Sequence, residues 1–308
     1  MKFAFVFPGQ GSQSVGMMAA YGEAARETFA EAGEALGIDL WDMVANGPAE
    51  ALNQTVNTQP AMLAAGVAVW RLWQRQGGAM PALMAGHSLG EYTALTCAGA
   101  LRFADAVRLV RLRAEAMQSA VPEGVGAMAA VLGLDDDTVR AVCAEAAQGE
   151  VLEAVNFNSP GQVVIAGDKA AVDRGCTLAK EKGAKRALPL PVSVPSHCAL
   201  MRPAAEKLAA ALGEVEVMAP AIPVLHNADV AAYSDPAAIR DALTRQLYRP
   251  VRWVESVQAM GAQGIELIAE CGPGKVLAGL NKRILDNVPT LALTDEAALA
   301  DFLAMVRA

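Results

Sequence analysis

Short unbroken apolar runs alternate along this chain with longer stretches in which apolar positions recur every three or four residues. The first run, Phe3-Ala4-Phe5-Val6-Phe7, is rich in strand formers and stops at Pro8-Gly9, the pattern of a strand covered on both faces. It predicts a central strand. Helical spacing follows over 14–36 and again over 60–76, where Trp70 and Trp73 share an apolar face and read as core. Residues 82–85 predict a second short strand, 92–99 a helix that starts straight after a Gly-bracketed turn, and 103–120 a long helix.

Between about 124 and 192 the alternation tightens. Residues 127–132, 152–157, 163–166 and 184–190 read as strands and 136–148 and 169–182 as helices, in the order β-α-β-β-α-β of a split-βαβ, ferredoxin-like unit. Asn158-Ser159-Pro160-Gly161 has the turn chemistry to join its two middle strands. We read it as an inserted subdomain. Beyond it, 200–212, 236–247, 251–262 and 276–285 predict helices and 224–226 and 265–269 strands, so strand-helix alternation resumes and implies a parallel sheet.

The sharpest chemical signal is Gly86-His87-Ser88-Leu89-Gly90, a G-x-S-x-G between a predicted strand and a predicted helix. A sharp turn there exposes the serine oxygen, and side chains at the flanking positions would clash, hence glycine. Ser88 is a candidate nucleophile. The backbone N–H of Leu89 falls at the helix start, where unpaired donors and the helix dipole favour a developing oxyanion. A serine also needs a base, and the chain has three histidines. His87 points away from Ser88 if the turn is an elbow, and His226, in Val224-Leu225-His226-Asn227, reads as a hydrogen-bonded core residue. His197, in the loop-like Val192-Ser193-Val194-Pro195-Ser196-His197, is the remaining candidate, although on position alone it could equally be a surface histidine.

At 100° per residue, Arg113 falls on the apolar arc of the 103–120 helix with Ala106, Leu109, Val110, Ala116 and Met117, whereas Arg108 and Arg111 face the other way with Glu115 and Gln118 and read as solvated. A buried-face arginine needs an anion. Either an internal Asp or Glu supplies it, or a carboxylate-bearing ligand does.

The 308 residues suffice for one large domain, or for one domain with a smaller companion. With 25 Lys and Arg against 33 Asp and Glu the net charge is −8, which repels a phosphate backbone and argues against nucleic acid as a partner. Five cysteines without a C-x-x-C pair argue against a disulfide framework and a zinc site. The apolar run at the N-terminus is too short for a signal sequence, and no stretch approaches 18 apolar residues. A cytoplasmic protein with no membrane contact is expected.

Taken in order, these motifs resemble the malonyl-CoA:acyl carrier protein transacylases of bacterial fatty acid synthesis, over nearly the whole chain. The resemblance rests on Phe7-Pro8-Gly9-Gln10-Gly11-Ser12-Gln13, the Ser88 motif continued by Glu91-Tyr92, Arg113 followed by Met117-Gln118, the run from Asn156 to Gln162, Val194-Pro195-Ser196-His197 and Gly272-Pro273-Gly274-Lys275-Val276-Leu277. The usual glycine after the arginine is Ala114 here. The resemblance implies an α/β-hydrolase-like core with a short parallel sheet, formed by 1–123 and 193–308. The ferredoxin-like 124–192 is inserted in it, and the active site lies in the cleft between the two. It implies Ser88 as nucleophile, His197 as base, the backbone N–H groups of Gln10 and Leu89 as oxyanion hole, and Arg113 as malonate partner. It also implies the Gln246 carbonyl as the group that orients His197, and Asn156 and Asn158 as cleft-lining residues. The expected activity is ping-pong transfer of malonyl from malonyl-CoA to the phosphopantetheine thiol of acyl carrier protein, in a monomer with no bound cofactor or metal. An acidic carrier needs a basic landing site; Lys182, Lys185 and Arg186, just ahead of the segment leading to His197, supply one unless they are simply a solvated run at a helix end.

Other readings are weaker. Gly9-x-Gly11 lacks the third glycine and the later acidic residue of a dinucleotide fingerprint. Gly272-Pro273-Gly274-Lys275 lacks the first glycine and the final Ser or Thr of a P-loop. A serine esterase or thioesterase of the α/β-hydrolase class would share the elbow, but an HGGG-type hole and a late histidine are missing. A carrier-binding scaffold without turnover, or a malonyl transferase serving polyketide assembly, completes the alternatives.

Overall fold

The computed structural model describes residues 1–192 and 194–307; Ser193, where the expected second part of the core opens, and Ala308 lie outside them. From the N-terminus run β1 (Phe3–Phe7), α1 (Glu23–Leu36), α2 (Leu40–Asn46), α3 (Ala49–Leu52), α4 (Thr55–Arg75), β2 (Leu83–Gly86), α5 (Leu89–Cys97) and α6 (Phe103–Ser119). β3 (Gly126–Leu132), α7 (Asp136–Ala147), β4 (Leu152–Ser159), β5 (Gln162–Asp168), α8 (Lys169–Glu181) and β6 (Arg186–Pro189) come next. The chain closes with α9 (Arg202–Glu214), β7 (Val224–Leu225), α10 (Pro236–Gln246), α11 (Trp253–Ala262), β8 (Leu267–Cys271), α12 (Val276–Ile284), β9 (Thr290–Leu293) and α13 (Glu296–Arg307).

The fold is mixed α/β with two sheets. β1 is the middle strand of a parallel sheet ordered β7-β2-β1-β8-β9. Its alternation explains why both faces are covered: Phe3 and Phe5 meet Trp73 and Phe302 on one side, while Ala4 and Val6 join Trp253, Met260 and Leu280 on the other. The second sheet is antiparallel, ordered β4-β5-β3-β6. Ala129, Val131, Val163 and Ile165 pack under α7 and α8, and Met128, Val155, Val164 and Ala166 turn to the opposite face with Cys198. Val251, just ahead of α11, binds this sheet to the first: its N–H donates to Val155 O at 2.8 Å and its carbonyl accepts from Phe157 N at 3.0 Å.

The structure departs from the pattern-based expectation in several places. Residues 14–22 are not helical apart from one 3-10 turn, Ala19–Tyr21, because Gly16 and Gly22 hold positive φ; α1 starts at Glu23. α4 begins at Thr55, ahead of Pro60, which lies inside it. Pro60 has no N–H for the Val56 carbonyl, and Arg111, expected in solvent, donates to that oxygen at 3.3 Å and to Asn57 Oδ1 at 3.0 Å. Short α2 and α3, and the final β9 and α13, add to the elements that the apolar pattern predicts. Four of the five cysteines are buried and none is bonded to another.

Candidate active site

A cavity of about 420 Å³ opens between the two sheets, lined by Gln10, Ser88, Leu89 and Arg113 from one side and by Met128, Asn156, Asn158 and Val164 from the other, with His197 beside Ser88. Ser88 caps α5 with φ 51° and ψ −108°, an uncommon backbone conformation for a non-glycine residue. Close packing holds it there. A Cβ on Gly86 would lie 1.9 Å from the Gly90 carbonyl, and one on Gly90 would lie 2.1 Å from the Phe7 carbonyl oxygen. Asn227 fastens the turn from behind, accepting from Ser88 N at 2.8 Å and donating from Nδ2 to Gly86 O at 2.7 Å.

Ser88 Oγ lies 2.8 Å from His197 Nε2, and His197 Nδ1 lies 2.7 Å from the Gln246 carbonyl oxygen. A carbonyl only accepts, so Nδ1 carries the proton and Nε2 presents a lone pair to the serine hydroxyl. Burial above all, then the charge of Arg113, pulls the His197 pKa down to about 3, against the opposing bond to Gln246. The imidazole is therefore neutral near pH 7, the form a base requires. His87 turns the other way, with Nε2 2.7 Å from Asn158 Oδ1 on the antiparallel sheet. His226 is a buried core histidine whose Nδ1 lies 2.6 Å from Glu91 Oε1.

Arg113 is 1 % exposed, yet among the described residues it pairs with no carboxylate. Its Nη1 donates to Gln59 Oε1 at 2.8 Å, and its Nη2 to Gln246 Oε1 at 3.0 Å and Ser88 Oγ at 3.1 Å, with the Tyr92 ring 5.2 Å away. Each Nη bears two N–H groups, so one on Nη1 and the one now spent on Ser88 Oγ can serve an incoming carboxylate.

The backbone N–H groups of Gln10 and Leu89 meet no acceptor among the described residues. Gln10 sits in the loop after β1, which approaches the Ser88 turn so closely that a Cβ on Gly9 would lie 2.5 Å from the His87 carbonyl oxygen. Behind that loop Gly272, at φ 144°, leaves room for Pro8. Two amides from distant segments thus flank Ser88.

The basic trio is not drawn into the cavity. β6 pairs Arg186 with Leu132, at the far end of the strand from the cavity-lining Leu190 and Pro191, roughly 13 Å away at about 3.3 Å per residue. Lys182 lies 3.9 Å from Glu145. Gln118, expected on the solvated face of α6, is exposed but lines the cavity mouth. Three residues with no assigned role from sequence, Glu91, Asn227 and Gln59, turn out to hold the site. Glu91 carried a readable signal: it is the lone charge in Leu89-Gly90-Glu91-Tyr92-Thr93-Ala94-Leu95-Thr96-Cys97, the run directly after the serine.

Residues 4–296 match the family model described as an acyl transferase domain. The malonyl CoA-acyl carrier protein transacylase of Salmonella typhimurium is 62 % identical over 302 residues, covering 97 % of this chain and 98 % of that protein. The crystal structure of an acyl carrier protein S-malonyltransferase from Vibrio cholerae superposes with a TM-score of 0.96 at 60 % identity, over 98 % of this chain and all of that one. A malonyl-transacylase solved in complex with a type II PKS acyl-carrier protein superposes with a TM-score of 0.98 at 55 % identity, over 99 % of this chain and all of that one.

Proposed function

The chain belongs to the acyl transferases, among the malonyl CoA-acyl carrier protein transacylases, and from that premise we propose that it works by a ping-pong mechanism through a malonyl-serine. The observation that carries this reading is Ser88 Oγ, which lies within hydrogen-bond distance of both His197 Nε2 and Arg113 Nη2. Ser88 passes its proton to Nε2 as Oγ attacks the thioester carbonyl of malonyl-CoA, with the malonyl carboxylate on the Arg113 guanidinium. The Gln10 and Leu89 amides receive the oxyanion. The C–S bond breaks as the imidazolium returns the proton to the coenzyme A thiolate. The carrier's phosphopantetheine thiol then gives its proton to His197 and attacks the acyl-enzyme, so that malonyl-carrier leaves and Ser88 regains its proton. The Gln246 carbonyl keeps the imidazole in the right tautomer and stands where a triad has an acid.

In this reading the parallel sheet and its helices, 1–123 and 193–308, form an α/β-hydrolase-like core and 124–192 a ferredoxin-like lobe, with Asn156 and Asn158 lining the cleft between them. No bound cofactor or metal takes part. Among the described residues no helix is long and apolar enough to cross a membrane. A cytoplasmic monomer is part of the proposal. Lys182, Lys185 and Arg186 are the proposed carrier surface, one strand length from the cavity. The carrier is that of fatty acid synthesis; the similarity to a transacylase solved with a polyketide carrier favours a second reading in which such carriers also serve.

Intact-mass spectrometry after adding malonyl-CoA alone tests the proposal. A persistent malonyl adduct on Ser88 that disappears when carrier is added is expected. Hydrolysis without carrier would mark an esterase, and no adduct at all a scaffold.

A further inference from the structure

Arg113 and Glu91 are both sealed from solvent, at 1 % and 0 % exposure, and among the described residues neither touches an opposite charge directly, the Glu91 bond to His226 apart. Burying an unbalanced charge is strongly destabilising, so each needs compensation. The His226 bond occupies Oε1 of Glu91 only and does not reach Arg113. What joins the two charges is the side-chain amide of Gln246: Oε1 accepts from Arg113 Nη2 at 3.0 Å, and Nε2 donates to Glu91 Oε2 at 3.0 Å and to the Ser88 carbonyl at 2.9 Å. Rotating that amide by 180° would set its NH2 against the guanidinium and its oxygen against the carboxylate. The two charges therefore lock it.

We propose that Glu91 is the buried counter-charge of Arg113, linked to it through the Gln246 amide, and thereby a positioning residue for the guanidinium that receives the acyl carboxylate. The inference rests on the reading of Arg113 as that receiver. Glu91 sits one turn after Ser88 on α5, and its remaining lone pairs are filled by the Asn227 N–H at 2.8 Å and His226 Nδ1 at 2.6 Å. Glu91→Gln keeps the shape but removes the negative charge that holds the Gln246 NH2, and with it the orientation of the Gln246 oxygen toward Arg113.

The test is a double-mutant cycle with Glu91→Gln, Arg113→Met and the pair, read in two ways on the full chain. In denaturant unfolding, the loss caused by Glu91→Gln is expected to shrink at least tenfold in equilibrium constant when Arg113 is already Met, because the cation it balanced is gone. In kinetics, Glu91→Gln should lower the ratio of malonyl to acetyl kcat/KM at least tenfold, and Glu91→Asp should recover most of that ratio. Additive stability losses, or equal loss of malonyl and acetyl transfer, would overturn the proposal. Should Glu91→Gln fail to fold alone, its rescue by Arg113→Met supports the proposal and absence of rescue defeats it. If Arg113→Met leaves the malonyl preference intact, the receiver reading fails, and the unfolding cycle still decides whether the two are counter-charges.

Discussion

Arg113 donates a hydrogen bond directly to Ser88, with Nη2 3.1 Å from Oγ. The group that would recognise the acyl carboxylate therefore already touches the atom that would attack the acyl carbonyl. A ligand carboxylate arriving at the guanidinium competes for that N–H and releases one lone pair of Oγ. Recognition and readiness of the serine are coupled within a few ångströms.

Replacing Arg113 with Ala should reduce malonyl transfer by at least about two orders of magnitude, since leaving a buried carboxylate unpaired costs about 3–5 kcal/mol. Acetyl transfer should persist or rise, because the unpaired guanidinium that penalises an acetyl group is gone. Steady-state kinetics with both thioesters on one preparation decides it. A parallel fall of both activities together with lower thermal stability would make Arg113 structural.

Ser88→Ala should form no acyl-enzyme while keeping its melting temperature, since the turn is held by Asn227 and the glycines rather than by the hydroxyl. Label retained from radioactive malonyl-CoA would refute the assignment. His197→Ala should slow transfer by about 10²–10⁴-fold, the usual contribution of a general base.

The two depressed histidines set a pH signature. His197 is pulled down to about 3 and His87 is lowered too, mainly by burial, with the Asn158 bond opposing. Unfolded, each titrates near 6.5, so between that value and its folded one the unfolded chain binds more protons. Stability is then full above about pH 6.5 and falls as pH drops, by up to about 1.4 kcal/mol per pH unit for each histidine. Denaturant midpoints from pH 8 to 5 measure the slope, and His197→Asn should flatten it. The acid limb of kcat/KM should lie below 6.5 and move upward in Arg113→Ala, which removes the second cause of the depression.

Two glycine replacements should differ in sign. Gly90→Ala puts a Cβ 2.1 Å from the Phe7 carbonyl oxygen and should destabilise severely or prevent folding. Gly279→Ala, in the exposed middle of α12 with nothing within 4 Å, should stabilise by about 0.5–1 kcal/mol. Chemical denaturation of both variants checks the pair.

Charge reversal at Lys185 and Arg186 should raise the KM for the carrier and weaken its salt dependence, with little change for malonyl-CoA. Unchanged carrier kinetics would leave the two as solvated charges.

Much of this molecule was legible in the chain. β1, the elbow and the β-α-β-β-α-β order follow from runs and turns whose causes are local. The helical arc of α6 put Arg113 inside, and no carboxylate among the described residues bonds to it directly, so the ligand reading stands. Non-local chemistry was not readable this way. Asn227 reaches Ser88 across 139 residues and Arg111 reaches Val56 across 55; no periodicity encodes such partners. The same holds for residues 14–22, where two positive-φ glycines override an apolar spacing that suits a helix.

The Asn227 tether also gives the protein a timetable during synthesis. A chain emerging from the ribosome presents the Gly86–Gly90 turn long before Asn227 and Gln246 exist, so its serine lacks the Asn227 tether and has no oriented imidazole to pair with. Chains broken off before Gln246 should be chemically silent toward thioesters, even with every residue of the serine motif present. The last third of the polypeptide is what arms the first.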